Sequence, residues 1–266
     1  MLRGFQGKPT RKIPDFWIMP AKGIQLSIVL EIANLSKSFN NKKIFEGISF
    51  DLKENEIISI LGPSGCGKTT LLNSISGIDD DFTGKIITNT SYEGKINNFS
   101  YSQQKDLLIP WKNVLDNAVF GLEISGTKKD ESHPKALSLM SEFKLEGIGN
   151  KFPHQLSGGM RQRVSLIRSF LLERPILLLD EPFGSLDSIT REDLQDWLLD
   201  ILIKFKMSVI FVTHDINEAI KISDRIIILN ANPGKIVKEI EVIARNDKEK
   251  LSLYWEIKNN LEISDD

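Results

Sequence analysis

A glycine-rich segment ending in lysine and two threonines is the part of the sequence that predicts chemistry most directly. It comprises Gly62, Pro63, Ser64, Gly65, Cys66, Gly67, Lys68, Thr69 and Thr70, and it follows the apolar run 57–61. This is the pattern G-x-x-x-x-G-K-[ST] between a predicted strand and a predicted helix. Glycines let successive backbone N–H groups face one anion, and the helix adds the positive end of its dipole. Lys68 is expected to reach the β- and γ-phosphates of a nucleotide, and the Thr69 hydroxyl to ligate Mg²⁺.

Alternating or continuous apolar residues predict the elements that hold this loop. Short, almost wholly apolar strands are typical of parallel strands covered on both faces. A change to helices and loops between about 107 and 174 predicts a helical insertion in an α/β nucleotide-binding core. Strands are expected at 29–35, 44–52, 57–61, 85–88, 98–102, 176–179, 208–212, 225–229 and 235–240, and helices after the loop as far as Gly77, at 189–205 and at 248–261.

Composition restricts the kinds of partner and site that this protein can have. The chain has 266 residues, 41% of them hydrophobic, and a formal charge of −2, so no global basic field favours nucleic acid as the main partner. A single cysteine excludes an intramolecular disulfide, and its position inside the glycine-rich loop argues against a zinc site. No apolar run is long enough to span a membrane or to form a signal peptide. Residues 1–27 are expected to be a poorly ordered arm. The alternatives are that the chain starts at Met19, or that residues 16–18 contact a membrane.

Two adjacent acids end the predicted strand at 176–179. A carboxylate at the end of a buried strand is costly without a partner or a metal. Asp180 suits a Mg²⁺ shell, directly or through water, and Glu181 suits orienting or deprotonating an attacking water. His214 ends the next strand and could reach a γ-phosphate there, although a lone histidine is more often structural.

The segment Leu156-Ser-Gly-Gly-Met160 stands before an amphipathic helix. Ser157 is a suitable N-cap, and Gly158 and Gly159 would leave N–H groups available to an anion. Taken alone, the segment could equally be an ordinary capped helix.

In combination and order, these motifs resemble the ATP-binding cassette family of transporter ATPases over about residues 29–240. The resemblance implies a P-loop NTPase core with an antiparallel β subdomain and an inserted α-helical subdomain at about 107–174. It implies a cassette domain at 28–241, followed by a C-terminal helix and tail at 242–266. It also assigns a D-loop, Ser185-Leu-Asp187, in which Asp187 is a nucleotide-binding residue.

Two further residues are assigned by the resemblance. Phe39 matches the aromatic residue on which adenine stacks; its alternative is a core phenylalanine. Gln104 matches the glutamine that senses Mg²⁺ and the attacking water, because the spacing to Pro110-Trp111 selects it over the adjacent Gln103. Gln103 itself departs from the family pattern, which usually has an aromatic residue there.

The resemblance implies an assembly as well as a reaction. ATP and Mg²⁺ are the expected cofactors, and the expected dimer is a head-to-tail homodimer. In it, Ser157, Gly158 and Gly159 of one subunit close over the γ-phosphate held by Lys68 of the other. One phosphate between two helix N-termini is physically reasonable, since both ends attract anions.

The segments 107–118, 181–184 and 232–237 resemble importers for nitrate, sulfonates and taurine. This resemblance implies integral-membrane permease subunits, an extracytoplasmic solute-binding protein and a peripheral location on the cytoplasmic face of the membrane. Leu108, Ile109 and Trp111 are expected to accept a partner helix, with burial in the helical insertion as the alternative. Asn232, and Ser165, Ile167 and Ser169 in the signature helix, depart from common family residues.

A non-transport cassette ATPase acting on nucleic acid or ribosomes is the alternative function. Such proteins usually carry coiled-coil insertions, zinc-binding cysteines or a second cassette, and none is present in this sequence. No nucleic acid is therefore expected as a partner. A cassette without turnover is disfavoured because Glu181 and His214 are both present.

Overall fold

The structure is a computed structural model that describes residues 27–89, 98–184, 186–244 and 246–262. The expected N-terminal arm, apart from Ser27, and Ser185 of the expected D-loop lie outside the described residues. The fold is α/β, as the sequence predicts, with two sheets and a helical region between β5 and β6.

Three strands form an antiparallel sheet in the order β2-β1-β4. Their inward-facing residues alternate with exposed ones, as expected of a sheet with one solvated face. These strands are β1 (Ile28–Phe39), β2 (Lys42–Lys53) and β4 (Thr83–Thr88).

Six strands form the larger sheet in the order β5-β6-β7-β3-β8-β9. The first five run parallel and β9 is antiparallel to β8. Every residue of β3, β6 and β7 is buried, which explains their continuous apolar sequences. The strands are β3 (Ile57–Leu61), β5 (Phe99–Ser102), β6 (Ile176–Asp180), β7 (Ser208–Thr213), β8 (Arg225–Leu229) and β9 (Ile236–Glu241).

Eight helices are described. Four of them, α2 to α5, lie between β5 and β6 and make the predicted helical region. The helices are α1 (Lys68–Ser76), α2 (Val114–Ala118), α3 (Phe120–Ile124), α4 (Lys129–Glu142), α5 (Gly158–Phe170), α6 (Ser188–Lys204), α7 (Ile216–Ile222) and α8 (Asp247–Glu262), with a 3₁₀ turn at Pro153–Gln155.

The larger sheet separates two hydrophobic cores. Leu177 and Leu179 of β6 face the core shared with the helical region, whereas Ile176 and Leu178 face the core shared with α1 and the antiparallel sheet. A third cluster joins α8 to α7 and β8 through Leu253 and Ile257. The C-terminal helix therefore packs on the core of the protein.

No helix among the described residues is long and apolar enough to cross a membrane.

Candidate active site

Four adjacent parallel strands, in the order β5-β6-β7-β3, bring the candidate residues to one edge of the sheet. Gln104 follows β5, Asp180 ends β6 with Glu181 directly after it, and His214 follows β7. The glycine-rich loop follows β3. Because parallel strands share the direction of their carboxyl ends, these groups from distant parts of the sequence meet in one place.

The loop at 62–67 curls around the start of α1. Gly65 and Gly67 have φ angles of 82° and 99°, a left-handed conformation that glycine adopts at no steric cost. A Cβ at Gly67 would lie 2.9 Å from the Ile44 side chain, so the loop also packs closely on β2. These contacts hold the first N–H groups of α1 at the positive end of the helix dipole, as anion binding requires.

Lys68 is almost fully buried, with 5% of its surface exposed. Its Nζ donates to the carbonyl oxygens of Gly62 and Pro63 at 2.7 and 2.8 Å. The ammonium group is therefore held over the loop, next to the N-terminus of α1. Cys66 in the same loop is buried, which raises the pKa of its thiol and keeps it protonated.

Asp180 lies between two hydroxyl donors. Thr69 Oγ1 donates to its Oδ1 at 3.2 Å and Tyr101 Oη to its Oδ2 at 3.3 Å. Burial raises the pKa of Asp180 and these two bonds oppose the rise, whereas burial and the Asp180 charge together raise the pKa of Tyr101. Tyr101 was not among the residues predicted for the site; the signal available in the sequence was an aromatic hydroxyl within the predicted strand at 98–102.

The side chains predicted to hold Mg²⁺ offer suitable ligand atoms. Thr69 supplies a hydroxyl, Asp180 a carboxylate and Gln104 an amide, the hard oxygen ligands that Mg²⁺ prefers. The hydrogen bond between Thr69 and Asp180 shows that two of these groups already converge.

Glu181, which follows β6, is contacted by side chains that follow the two neighbouring strands, β5 and β7. Its Oε2 accepts a hydrogen bond from Gln104 Nε2 at 3.2 Å and lies 3.2 Å from His214 Nδ1. The Glu181 side chain is 18% exposed and that of His214 is 55% exposed. A largely buried carboxylate that is contacted by an amide and by an exposed imidazole can orient a water molecule.

The segment 157–159 is capped as predicted. Ser157 Oγ accepts the Met160 amide at 3.3 Å, and α5 begins at Gly158. A Cβ at Gly159 would lie 2.7 Å from the Thr190 side chain, so this glycine lets α5 approach α6 closely. Within the described part of this chain, no hydrogen bond or ion pair joins 157–160 to 62–70.

Asp187 is the N-cap of α6, where its Oδ1 accepts the Thr190 amide at 3.0 Å. The hydrogen bonds to Thr190 hold the pKa of Asp187 below its usual value. Its contacts within this chain are thus structural.

Surface exposure separates the apolar candidates. Phe39 is 65% exposed, which excludes the alternative of a core phenylalanine. Leu108 is buried, so its expected part in a docking surface is wrong, whereas Trp111 is 80% exposed and Ile109 is half-buried. Leu107, which was not among the predicted docking residues, is also exposed.

Comparison with known proteins agrees with this geometry. Residues 45–184 match the family described as ABC transporter. The chain is 40% identical to the aliphatic sulfonates import ATP-binding protein of Bacillus cereus, over 80% of this chain and 86% of that protein. It is 36% identical to the taurine import ATP-binding protein of Yersinia pestis, over 80% of this chain and 84% of that protein.

Among solved structures, the chain is similar to an ATP-binding cassette in a dimeric, post-hydrolysis state bound to ADP and Pi. The TM-score is 0.69 at 30% identity, covering 81% of this chain and 99% of that one. The chain therefore belongs to the ABC transporter family and has the fold of its ATP-binding cassettes.

Proposed function

We propose that this chain is the ATP-binding and ATP-hydrolysing subunit of an ABC importer, powering uptake of a small solute through a separate permease. The convergence of Gln104 and His214 on Glu181 carries the hydrolytic part of the proposal. The neighbouring Asp180 accepts a hydrogen bond from Thr69 in the Lys68 loop, which supports a catalytic carboxylate at the sheet edge where the N-terminus of α1 can bind phosphate.

In the proposed site, the loop residues 62–70 hold the phosphates and Lys68 supplies the point charge for the β- and γ-phosphates. Phe39 stacks on adenine, since it is an exposed aromatic side chain at the end of β1. Thr69, Asp180 and Gln104 would hold Mg²⁺, which when bound neutralises charge on the phosphates.

Glu181 would orient the attacking water and accept its proton. Gln104 fixes Glu181 Oε2 through a hydrogen bond, and His214 approaches the same oxygen with Nδ1. That contact leaves His214 Nε2 as the ring atom available to the γ-phosphate, and the imidazole is exposed enough to meet it.

We propose a head-to-tail homodimer, in which Ser157, Gly158 and Gly159 and the D-loop Asp187 of one subunit complete the nucleotide site of the other. Ser157 caps a 13-residue helix that begins with Gly158 and Gly159, and the N-terminus of this helix is able to bind phosphate. The similar cassette solved as a dimer supports this assembly.

The relatives that are named as sulfonate and taurine import proteins support an importer for a small solute such as a sulfonate, taurine or nitrate. The partners would be integral-membrane permease subunits and, through them, an extracytoplasmic solute-binding protein. The chain would then lie on the cytoplasmic face of the membrane.

Glu181→Gln tests the hydrolytic role. The substitution keeps the side-chain shape and removes the base, so we expect ATP to bind and trap a dimer with little turnover. Lys68→Ala should instead weaken ATP binding itself, because the phosphates lose a buried point charge. Equilibrium ATP binding, size-exclusion chromatography and phosphate release separate the two effects; normal hydrolysis by Glu181→Gln would reject the assignment.

The transport role is tested by co-purification from native membranes. Recovery of a permease and a solute-binding protein is the expected result, and ligand screening of the binding protein by thermal shift then identifies the solute. Recovery of nucleic acid or ribosomes instead would support the alternative, a non-transport cassette ATPase.

A further inference from the structure

Glu218 on α7 is a buried carboxylate that the proposed mechanism does not use. It is 5% exposed and accepts two hydrogen bonds, from Thr213 Oγ1 at 2.6 Å and from Gln195 Nε2 at 3.1 Å. A buried charge is costly unless it is well paired, so a carboxylate kept here must satisfy specific donors.

Thr213 connects Glu218 to the turn that contains His214. The Thr213 hydroxyl gives its hydrogen to Glu218 and accepts the Asp215 amide at 3.0 Å. The residues on both sides of His214 are therefore tied to a single hydroxyl group. Asp215 in turn caps α7, on which Glu218 lies, and this closes the network on itself.

Gln195 connects the same carboxylate to α6, the helix that begins after Asp187. Lys221 Nζ donates to Gln195 Oε1 at 3.3 Å. Because an ammonium group can only donate, it holds the amide oxygen toward itself and turns the NH₂ group toward Glu218. Lys221 is anchored by Asp196 at 2.8 Å, so the direction of each bond in the network is fixed.

We propose that Glu218 is a positioning residue that couples the middle of α6, the helix that follows the D-loop, to the turn that contains His214. A carboxylate has two acceptor oxygens, one for Thr213 and one for Gln195. A glutamine at this position has one acceptor oxygen and one donor NH₂ group, so it can accept a hydrogen bond from only one of the two neighbours. Its NH₂ group then either faces the NH₂ group of Gln195, with no hydrogen bond between them, or faces the Thr213 hydroxyl, which must turn its hydrogen elsewhere. The inference rests on the proposed part of His214 in hydrolysis.

The test compares Glu218→Gln and Thr213→Val with Thr213→Ser, which keeps the hydroxyl. Displacing a catalytic group by a fraction of an ångström costs rate rather than binding. We expect Glu218→Gln and Thr213→Val to lower kcat roughly tenfold or more, with KM for ATP within about twofold of wild type. Thr213→Ser should retain most of the wild-type kcat. Should Glu218→Gln fail to fold, the Thr213 pair decides the question.

Histidine NMR supplies a readout that a merely stabilising role would leave unchanged. The chain has 3 histidines, His133, His154 and His214, and His214→Ala assigns the last of them. We expect the His214 imidazole resonances to shift in Glu218→Gln and Thr213→Val while the other two stay in place. Ile257→Val, a substitution in the buried part of α8, is the matched control: it should lower Tm and leave both kcat and the His214 resonances unchanged.

The inference is overturned if Thr213→Val keeps the wild-type kcat, if Thr213→Ser loses as much as Thr213→Val, or if the His214 resonances do not move. It is also overturned if Ile257→Val lowers kcat equally, since the loss would then follow destabilisation alone. His214→Ala separates this failure from failure of the proposed function. If that variant hydrolyses ATP normally, the assumed role of His214 is wrong.

Discussion

Glu181 occupies a left-handed backbone conformation, with φ at 42°. For a residue other than glycine this costs on the order of 1–3 kcal/mol and persists only when the surroundings enforce it. The Glu181 amide donates to the Val212 carbonyl at 2.9 Å, and its own carbonyl accepts from Gly184 at 3.1 Å. These bonds fix the backbone where β6 ends, so the carboxylate stays directed at Gln104 and His214.

Tyr101 supports Asp180 from the side opposite Thr69. Tyr101→Phe removes one donor and leaves Asp180 Oδ2 without this bond, so the carboxylate is less firmly oriented toward a cation. We expect the Mg²⁺ concentration for half-maximal ATP hydrolysis to rise roughly threefold to tenfold, while Tm changes little. A Mg²⁺ titration checks this, and an unchanged midpoint would show that the hydroxyl is not needed.

Asp224 gives a prediction about pH and stability. Its carboxyl Oδ2 accepts the Ile57 amide at 2.9 Å, and burial raises its pKa above the ordinary value. The stability that the protonated Asp224 carboxyl contributes is therefore fully present below the unfolded-state pKa and is lost as pH rises through the folded-state pKa. Asp224→Asn keeps an oxygen for Ile57 and carries no charge.

We expect the Tm of Asp224→Asn minus that of wild type to increase as the pH rises above about 4, the ordinary pKa of an aspartate, and to level off once the pH exceeds the raised folded-state pKa. Thermal unfolding across this range measures it. Asp80→Asn is the control, because Asp80 is exposed and its replacement removes no buried charge. A difference for Asp224→Asn that does not vary with pH would contradict the prediction.

The connection between β8 and β9 packs closely against the glycine-rich loop. Gly234 exchanges backbone hydrogen bonds with β2, donating to Ile44 and accepting from Glu46 at 2.9 Å each. A Cβ at Gly234 would collide with the carbonyl oxygen of Cys66. This glycine is therefore required by a close approach between two loops, which a Cβ would push apart.

Gly234→Ala should displace the phosphate-binding loop and raise KM for ATP roughly tenfold or more, with a smaller effect on kcat. Steady-state kinetics with direct ATP binding measure the effect. Gly149→Ala is the matched control, since a Cβ there makes only an ordinary contact of 3.6 Å with Leu115. Equal effects of the two substitutions would argue against a specific contact with the loop.

The bounds of the strands are predictable from the sequence where almost every residue of the strand is buried. The strands at 57–61 and 225–229 have the predicted bounds because continuous apolar residues mark strands covered on both faces. The first strand was predicted to end at 35 but β1 continues to Phe39. Shifts of register between Ile32 and Leu35, and again to Lys37, break the apolar alternation that the prediction used.

At the scale of the molecule, the motifs indicate candidate residues that the fold brings together, but not all of the residues that hold them in position. Lys68, Asp180 and Glu181 stand in local patterns that the sequence displays. Tyr101 and the contact between Gln195 and Glu218 depend instead on strand order and on the packing of α6 against α7. Such contacts have no local signature, because each residue alone is typical of a strand or a helix surface.

Trp111 allows the whole-molecule proposal to be tested separately from the chemistry. It is 80% exposed, at the start of the helical region, and an exposed aromatic residue of this kind suits a partner interface. In vesicles containing the permease and the binding protein, Trp111→Ala should lower transport and permease-stimulated ATP hydrolysis roughly tenfold. The basal hydrolysis of the isolated chain should stay within about twofold of wild type, because Trp111 makes no contact with Glu181 or Lys68 among the described hydrogen bonds and ion pairs.

Trp255→Ala is the matched control, because Trp255 is a second exposed tryptophan, 51% accessible, on α8. It should leave both basal and stimulated rates unchanged if the permease contacts the helical region alone. Equal losses in the two variants would indicate a general effect of removing a surface tryptophan. Full stimulation of Trp111→Ala would exclude this residue from the interface, whereas loss confined to Trp111→Ala would assign permease coupling to the region that follows Gln104.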